Sequence, residues 1–483
     1  MSERLTVGPF NRVEGDLEVQ LEIGDGRVLG AWVNSPLYRG FEQILPGKDP
    51  HDALVYAPRI CGICSVSQSM AAAYALAEAQ RLDMPDNGEL VTNLILACEN
   101  LADHFTHFYL FFMPDFAREV YAAEPWYPDV AERWWALTGS AAREAVPARA
   151  QFLHLMGLLA GKWPHSLSLQ PGGSARSVDA RDKVRMLATL GAFRRFLETR
   201  TFGDRLEAIA ALDGVAALRA WMAARPPAAS DFARFLALAD ALGLAALGRA
   251  TDRFMSYGNY PVGGERLFAP GVWQDGPGVL DVDAITEDLA HSRLAGPVAA
   301  QPPFQGVTLP DADKPGAYTW CKAPRLAGAA METGALARQV VQGHPLIRDL
   351  VAESGGNVRN RVVARLLELA LVLPAMEDWV RRIRPGEAFC HQGRMPAEAQ
   401  GVGLVEAARG SLGHWLEVRN GRILNYQIVA PTTWNFSPRD AAGVPGALEQ
   451  ALVGAPLRPG EDTPVAVQHI VRSFDPCMVC TVH

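Results

Sequence analysis

Two Cys-x-x-Cys pairs, Cys61-Gly-Ile-Cys64 and Cys477-Met-Val-Cys480, stand at opposite ends of the chain, more than four hundred residues apart. Each pair offers two thiolates close enough to grip one metal ion, and four together make a soft site. If one centre takes both pairs, the last residues must return to the front of the chain. A structural zinc reads the pattern as a long-range staple, although zinc ribbons usually carry their pairs about 15–20 residues apart. A thioredoxin-like redox pair is a weaker reading, because neither pair follows a clear βαβ pattern. Nickel or iron satisfies the same spacing, and the pattern alone does not choose among these metals. Cys98, Cys321 and Cys390 stand singly and read as small apolar fillers.

The chain has 483 residues, 49% hydrophobic and 20% charged, which supplies a large core and excludes wholesale disorder. A net charge of −8 argues against a general nucleic-acid binder, which needs a basic face. Seven cysteines are too few for a disulfide scaffold, so a reduced, cytoplasmic setting is expected. No direct membrane insertion is expected. Leu366–Pro374 is too short to span and Phe235–Leu247 carries Asp240. The start, MSERLTVGPF, lacks the basic-then-apolar pattern of a signal peptide.

Leu17, Val19, Leu21 and Ile23 alternate with polar residues before Gly24-Asp25-Gly26, which predicts strands and a turn. Ser65–Arg81 is rich in helix formers, and Thr92–Phe112 runs without Pro or Gly as a long buried helix. Residues 181–255 predict several helices broken at Arg225-Pro226-Pro227. Residues 256–330, rich in Gly and Pro, read as long surface loops. Arg359–Arg382 is a strong helix. Asn420-Gly421 between alternating runs is a hairpin signal. The expectation is an α+β, predominantly α-helical fold. A single domain spans 1–483: β-rich over 1–45, a helical core over 50–400, and a β hairpin with a metal-binding tail over 401–483.

Five blocks then match a known family. They are Arg12-Val-Glu14-Gly15; Arg59-Ile-Cys61-Gly-Ile-Cys64; Gly161-Lys-Trp-Pro-His165 with Pro171-Gly-Gly173; Pro431-Thr-Thr-Trp-Asn435 with Ser437-Pro-Arg-Asp440; and Asp475-Pro-Cys477 through His483. On these the chain resembles, end to end, the large subunit of nickel–iron hydrogenases. The resemblance implies a nickel–iron centre whose iron carries carbon monoxide and cyanide. Cys61 and Cys477 would bind nickel terminally, and Cys64 and Cys480 would bridge nickel and iron. Glu14 matches the proton-relay glutamate, for which partial burial and a moved pKa are the expected device. Arg409 matches the arginine beside the diatomic ligands, a fixed charge and donor. Thr432 matches a hydroxyl donor to cyanide, and Asp103 and Asp475 match two acids that orient the arginine. The family commonly has Pro where this chain has Ala408.

The same resemblance implies a structural magnesium held by Glu42, His483 and the Ile428 carbonyl. His104 and His107, one turn apart, read instead as a packed helix face. Three positions resemble the regulatory, hydrogen-sensing branch of the family. Gln68 stands where energy-converting relatives usually carry His, and an amide cannot charge. Ile63 and Phe111 stand at gas-channel positions where those relatives have smaller residues; bulk there would hinder oxygen, though ordinary packing gives the same residues. Catalytic relatives are commonly cut after the terminal His, so a chain ending at His483 fits either a cut product or one made without an extension.

The leading expectation is therefore a hydrogen sensor of low H2-oxidising activity. It would pair with an iron–sulfur small subunit, as a heterodimer or a dimer of heterodimers, and signal through a histidine kinase. Three isolated cysteines cannot build a cluster relay in this chain itself. An energy-converting uptake hydrogenase shares the chemistry, and a zinc-stapled scaffold without catalysis is the alternative of another class.

Overall fold

The computed structural model describes residues 3–458, 461 and 463–483. Period-two alternation gives an antiparallel sheet at the front of the chain, with β1 (Glu3–Val7), β2 (Glu18–Gly24) and β3 (Arg27–Asn34) in that order. Val19 lies opposite both Val7 and Val33, and Leu21 opposite both Leu5 and Ala31. Val19 and Leu21 are buried, while Gln20, between them on the other face, is exposed.

Helices make the interior. The helix that follows the first cysteine pair, α1 (Ser65–Gln80), is buried almost all round. Next comes α2 (Asp86–Thr106), of whose 21 residues all but a few are buried. The long helix expected over Thr92–Phe112 starts earlier and does not stay regular: at His107–Phe112 the chain widens into a π-turn. Asp179 caps α3 (Ala180–Phe196), whose Phe193 meets Phe105 of α2 edge-on at 5.3 Å. After α4 (Ala335–Gln342), Asn357 caps α5 (Val358–Arg382), its side chain accepting from the Asn360 N–H at 3.0 Å. A buried His104–Glu368 contact of 3.3 Å joins α2 to α5.

The second sheet sits on α1. The expected hairpin is present, turning at Asn420-Gly421 between β5 (Gly410–Arg419) and β6 (Arg422–Val429), and β4 (Ala399–Ala407) adds a third strand beside β5. Gly401 and Gly403 lie on one face of β4, and a Cβ at either would collide with the Ala75 or Ala71 carbonyl of α1. Glycine facing an alanine-rich helix is what lets sheet and helix meet backbone to backbone. The chain ends with α6 (Val465–Ser473) and the short α7 (Met478–Thr481).

One expectation fails. Residues 256–330 are not merely surface loops. Met255, Tyr257 and Ile285 join Trp415, Val429 and Trp434 in a second apolar cluster. Ile285–Asp288 pairs with Ala323–Leu326. Gly and Pro punctuate the segment locally, as in the short hairpin of Asn259–Val262 with Glu265–Phe268, but the pairing of Ile285–Asp288 with Ala323–Leu326 spans far more of the chain, which local pattern does not reveal. Among the described residues no helix is long and apolar enough to cross a membrane.

Candidate metal centre

The tail returns to the front. Glu14 and Cys477 form an isolated parallel bridge, in which the Met478 N–H donates to the Glu14 carbonyl at 2.7 Å. Gly15 has φ +81°, and a Cβ there would press on Met478 and Val479 at 3.1–3.2 Å. Only glycine takes that backbone shape without strain while the tail lies so close. Arg39 then ties the two cysteine segments together, donating to the Ile60 carbonyl at 2.6 Å and to the Val479 carbonyl.

Four sulfurs converge as a result. Cys61 Sγ lies 3.4 Å from Cys477 Sγ, Cys64 Sγ 2.9 Å from Cys480 Sγ, and Cys477 Sγ 3.0 Å from Cys480 Sγ. All four lie within 4.8 Å of one another, buried and free of disulfides. Hydrogen bonds from Cys477, Cys480 and Cys64 pull the Cys61 thiol well below its ordinary value, while burial pushes Cys477 and Cys480 up. So many buried thiols cannot ionise together unaided; a cation among them removes that restriction, and thiolates are what soft metals take. The donor set therefore fits a thiolate-bound transition-metal group.

Arg409 is buried beside the sulfurs. Its Nη2 donates to Asp103 Oδ1 at 3.0 Å and Asp475 Oδ1 at 3.3 Å, and its Nε to the Asp475 carbonyl at 2.9 Å. Among the described residues its Nη1 is buried with no acceptor, and Asp103 Oδ2 and Asp475 Oδ2 are likewise without partners. Both acids face the arginine. Burial pushes Asp103 well up, whereas burial is outweighed at Asp475 by Arg409, which holds it near 2. The Thr432 hydroxyl accepts from the Cys477 N–H at 3.1 Å, leaving its proton free to donate. Glu14 is half-buried, and burial and then the Cys61 charge push its carboxyl up against the pull of Arg409 and Arg39.

The Gln68 amide oxygen lies against His414 Nε2 at 2.8 Å, and its amide nitrogen has no partner among the described residues. His104 meets Glu368, and His107 lies 2.7 Å from the Arg472 carbonyl, so both are packed, partnered side chains. Phe111 lines an apolar cavity of about 1260 Å³ with Pro9, Leu110, Trp135 and Leu137, while Ile63 is half-buried outside that lining.

Glu42 and His483 do meet, Oε1 to Nε2 at 3.1 Å, and the Ile428 N–H donates to the same Oε1 at 2.8 Å. Sequence reasoning missed Lys322, whose Nζ donates to Glu42 at 2.8 Å, to Gln427 at 2.8 Å and to Glu287 at 3.2 Å. Burial pushes Glu42 up, but Lys322 and His483 more than reverse it. Glu287 Oε1 remains buried and unpaired. Two carboxylates around one ammonium, with an orphaned oxygen, fit a further hard cation.

Also missed were Glu99 and Arg338. Glu99 accepts from the Val66 and Ser67 N–H groups at 2.8 and 2.9 Å and from Trp163 at 2.9 Å, so it caps the helix that begins after Cys64. Burial lifts it to about 7. Arg338 donates to Glu368 and Glu406 and to the Ala407 and Ala408 carbonyls, fixing the segment that ends at Arg409. A signal existed: Glu99 and Glu368 are charges inside apolar helices, where a buried carboxylate needs a partner.

Comparison with known proteins agrees. A family model described as nickel-dependent hydrogenase matches residues 39–132 and 143–483. The chain is 30% identical to the periplasmic [NiFeSe] hydrogenase large subunit of Desulfomicrobium baculatum, covering 99% of this chain and 95% of that one. It is 29% identical to the Hydrogenase-2 large chain of Escherichia coli K12, covering 100% and 97%. Its fold is similar to the Ni-Fe-Se hydrogenase of D. vulgaris Hildenborough, with TM-score 0.85 and 29% identity over 100% of each chain. Four sulfurs drawn from both termini, in a chain that matches this family over nearly its whole length, place it among the nickel-dependent hydrogenases, as a large subunit and an oxidoreductase acting on H2.

Proposed function

We propose that this chain is the large subunit of a regulatory hydrogenase, a hydrogen sensor with low H2-oxidising activity. It works in the cytoplasm with an iron–sulfur small subunit and signals through a histidine kinase. The observation that carries this reading is Gln68, an uncharging amide one turn from Cys64, where the energy-converting relatives usually carry His.

Cys61 and Cys477 would hold nickel, and Cys64 and Cys480 would hold nickel and iron together, the iron carrying carbon monoxide and cyanide. When bound, that group supplies the metals that polarise H2 toward heterolytic cleavage. The chain supplies the rest. Arg409, whose Nη1 has no partner among the described residues, would donate to one cyanide, and the Thr432 hydroxyl, its proton free, would donate to the other. Asp103 and Asp475 hold the guanidinium in place. Glu14, next to Cys477 across the bridge and raised by burial, takes the proton and passes it on. A structural magnesium bound by Glu42, His483 and the Ile428 carbonyl pins the tail. In extended backbone that carbonyl points the same way as the Ile428 N–H, toward Glu42.

Similarity to a periplasmic [NiFeSe] hydrogenase and to Hydrogenase-2 favours a second reading, an energy-converting uptake hydrogenase. Turnover measured in air on the purified complex, with a kinase-binding assay, separates them. Slow, oxygen-tolerant turnover with kinase binding supports the sensor. Fast oxidation coupled to quinone without kinase binding refutes it.

A further inference from the structure

Glu14 lies between β1 and β2, in a segment that belongs to neither strand. After it, the backbone is tied to the tail: the Glu14 N–H donates to the Pro476 carbonyl at 3.4 Å, and the Met478 N–H to the Glu14 carbonyl at 2.7 Å. Before it, side chains hold the segment. The Asn11 carbonyl accepts from Arg472 Nη2 at 3.0 Å and Nε at 3.2 Å, and Asn11 Oδ1 accepts from the same Nη2 at 2.6 Å. The Arg12 guanidinium donates to Asp115 Oδ1. Arg12 itself has φ +56°, a left-handed backbone that residues with side chains seldom adopt. Such a shape persists only where the surroundings enforce it.

Asp115 is the fixed point of this arrangement. It is fully buried in the short turn Met113–Ala117, just after the π-turn. Its two oxygens accept from Arg472 Nη1 at 2.8 and 2.7 Å, and Oδ2 lies 3.2 Å from His469 Nδ1. The Tyr121 hydroxyl backs the other ring nitrogen of His469 at 2.6 Å. With partners on both oxygens the carboxylate cannot turn. Burial pushes it up, but Arg472, His469 and Arg12 more than reverse this, so it stays charged. Arg472 belongs to α6, the helix that leads into Asp475 and Cys477. One carboxylate therefore grips both the segment that carries Glu14 and the helix that delivers Cys477.

We propose that Asp115 and Arg12 are positioning residues: Asp115, already fixed to the tail through Arg472, holds Arg12 and so keeps Glu14 at a set distance from Cys477. The pair touches neither the metals nor the transferred proton and acts only through Glu14. Transfer is steep in distance, and a misplacement of about 1 Å costs up to about a hundredfold in rate. The proposal rests on the proton-relay reading of Glu14, and not on the sensing role.

The test uses the purified complex of large and small subunits and three readings: nickel per chain, the infrared band of iron-bound carbon monoxide, and exchange of D2 with water. Arg12 is part-exposed, and Arg12→Leu spares the buried Asp115–Arg472 pair, so it keeps the test open even where Asp115→Asn fails to assemble. Arg12→Leu should keep the nickel and the band while exchange falls, by up to about a hundredfold. Arg12→Lys, which keeps a cation, should recover most of the rate, and assembled Asp115→Asn should lose at least as much as Arg12→Leu. Arg12→Leu with Glu14→Gln should exchange no more slowly than Glu14→Gln alone, a coupling that a merely structural pair would not show. Wild-type exchange in Arg12→Leu, loss of its nickel or band, or losses that multiply in the double variant overturn the positioning role alone. Unchanged exchange in Glu14→Gln with full nickel overturns the relay reading and the positioning role together.

Discussion

Replacing Arg338 by Met removes one guanidinium from between two buried carboxylates. Arg338 is fully buried on α4 and donates to Glu368 at 2.9 and 3.0 Å and to Glu406 at 2.8 Å. It also donates to the Ala407 and Ala408 carbonyls at 2.8 and 3.2 Å. Breaking a buried pair from one side costs about 3–5 kcal/mol. Two carboxylates lose their shared cation here, so the upper end applies. Against a typical folding margin of about 5–15 kcal/mol this is a large fraction. The damage is local first, because residues 406–409 lose their anchor and Arg409 loses its fixed position.

The loss is also pH-dependent. Burial raises Glu368, yet Arg338 and then His104 hold it down near 2 in the intact protein. A depressed carboxyl contributes stability above its unfolded pKa and loses it as pH falls through the folded one. Without Arg338 the carboxyl instead relieves its burial by taking a proton, so the deficit of the variant shrinks from pH 7 toward pH 5. Hydrogen–deuterium exchange over residues 399–419, with nickel counted per chain, reads both effects. Arg338→Met should exchange faster there and hold less nickel, and adding Glu368→Leu should restore part of the protection. Unchanged exchange and nickel in the single variant, or a double variant no better than the single, would refute this account of the anchor.

Glu14→Gln should keep the metals and suppress hydrogen/deuterium exchange with solvent; unchanged exchange removes Glu14 from the proton path. Ile63→Val with Phe111→Leu should raise oxygen sensitivity, and unaltered tolerance would mean that both residues only pack. Burial lifts Glu449 to about 7 although it accepts from the Val33 N–H and the Tyr318 hydroxyl. A raised carboxyl is protonated in both states below about pH 4.5 and loses stability as pH climbs to 7, by roughly 3 kcal/mol. Melting of Glu449→Gln should therefore fall less steeply over that window than wild type, and equal slopes would show that the burial of Glu449 is not felt.

Local chemistry alone determined a good deal. Two spaced thiol pairs suit one soft metal site, and a shared site requires a returning tail. Alternation at Val19 and Leu21 is a property of the pleat, and the buried run around α2 and α5 is a property of the helix period, so strands and helices could be read residue by residue. That buried carboxylates such as Glu99 and Asp103 inside an apolar helix need partners is legible in the sequence. What only the tertiary structure decided was who that partner is. Arg39, Lys322, Arg338 and His414 each join segments separated by tens to hundreds of residues, and no periodicity encodes such a meeting. The meeting of Gln68 with His414 belongs to the same class. Strand pairing sets His414 opposite Ile428 and diagonal to Tyr426, and a hydrogen bond exists only once both ends have been placed.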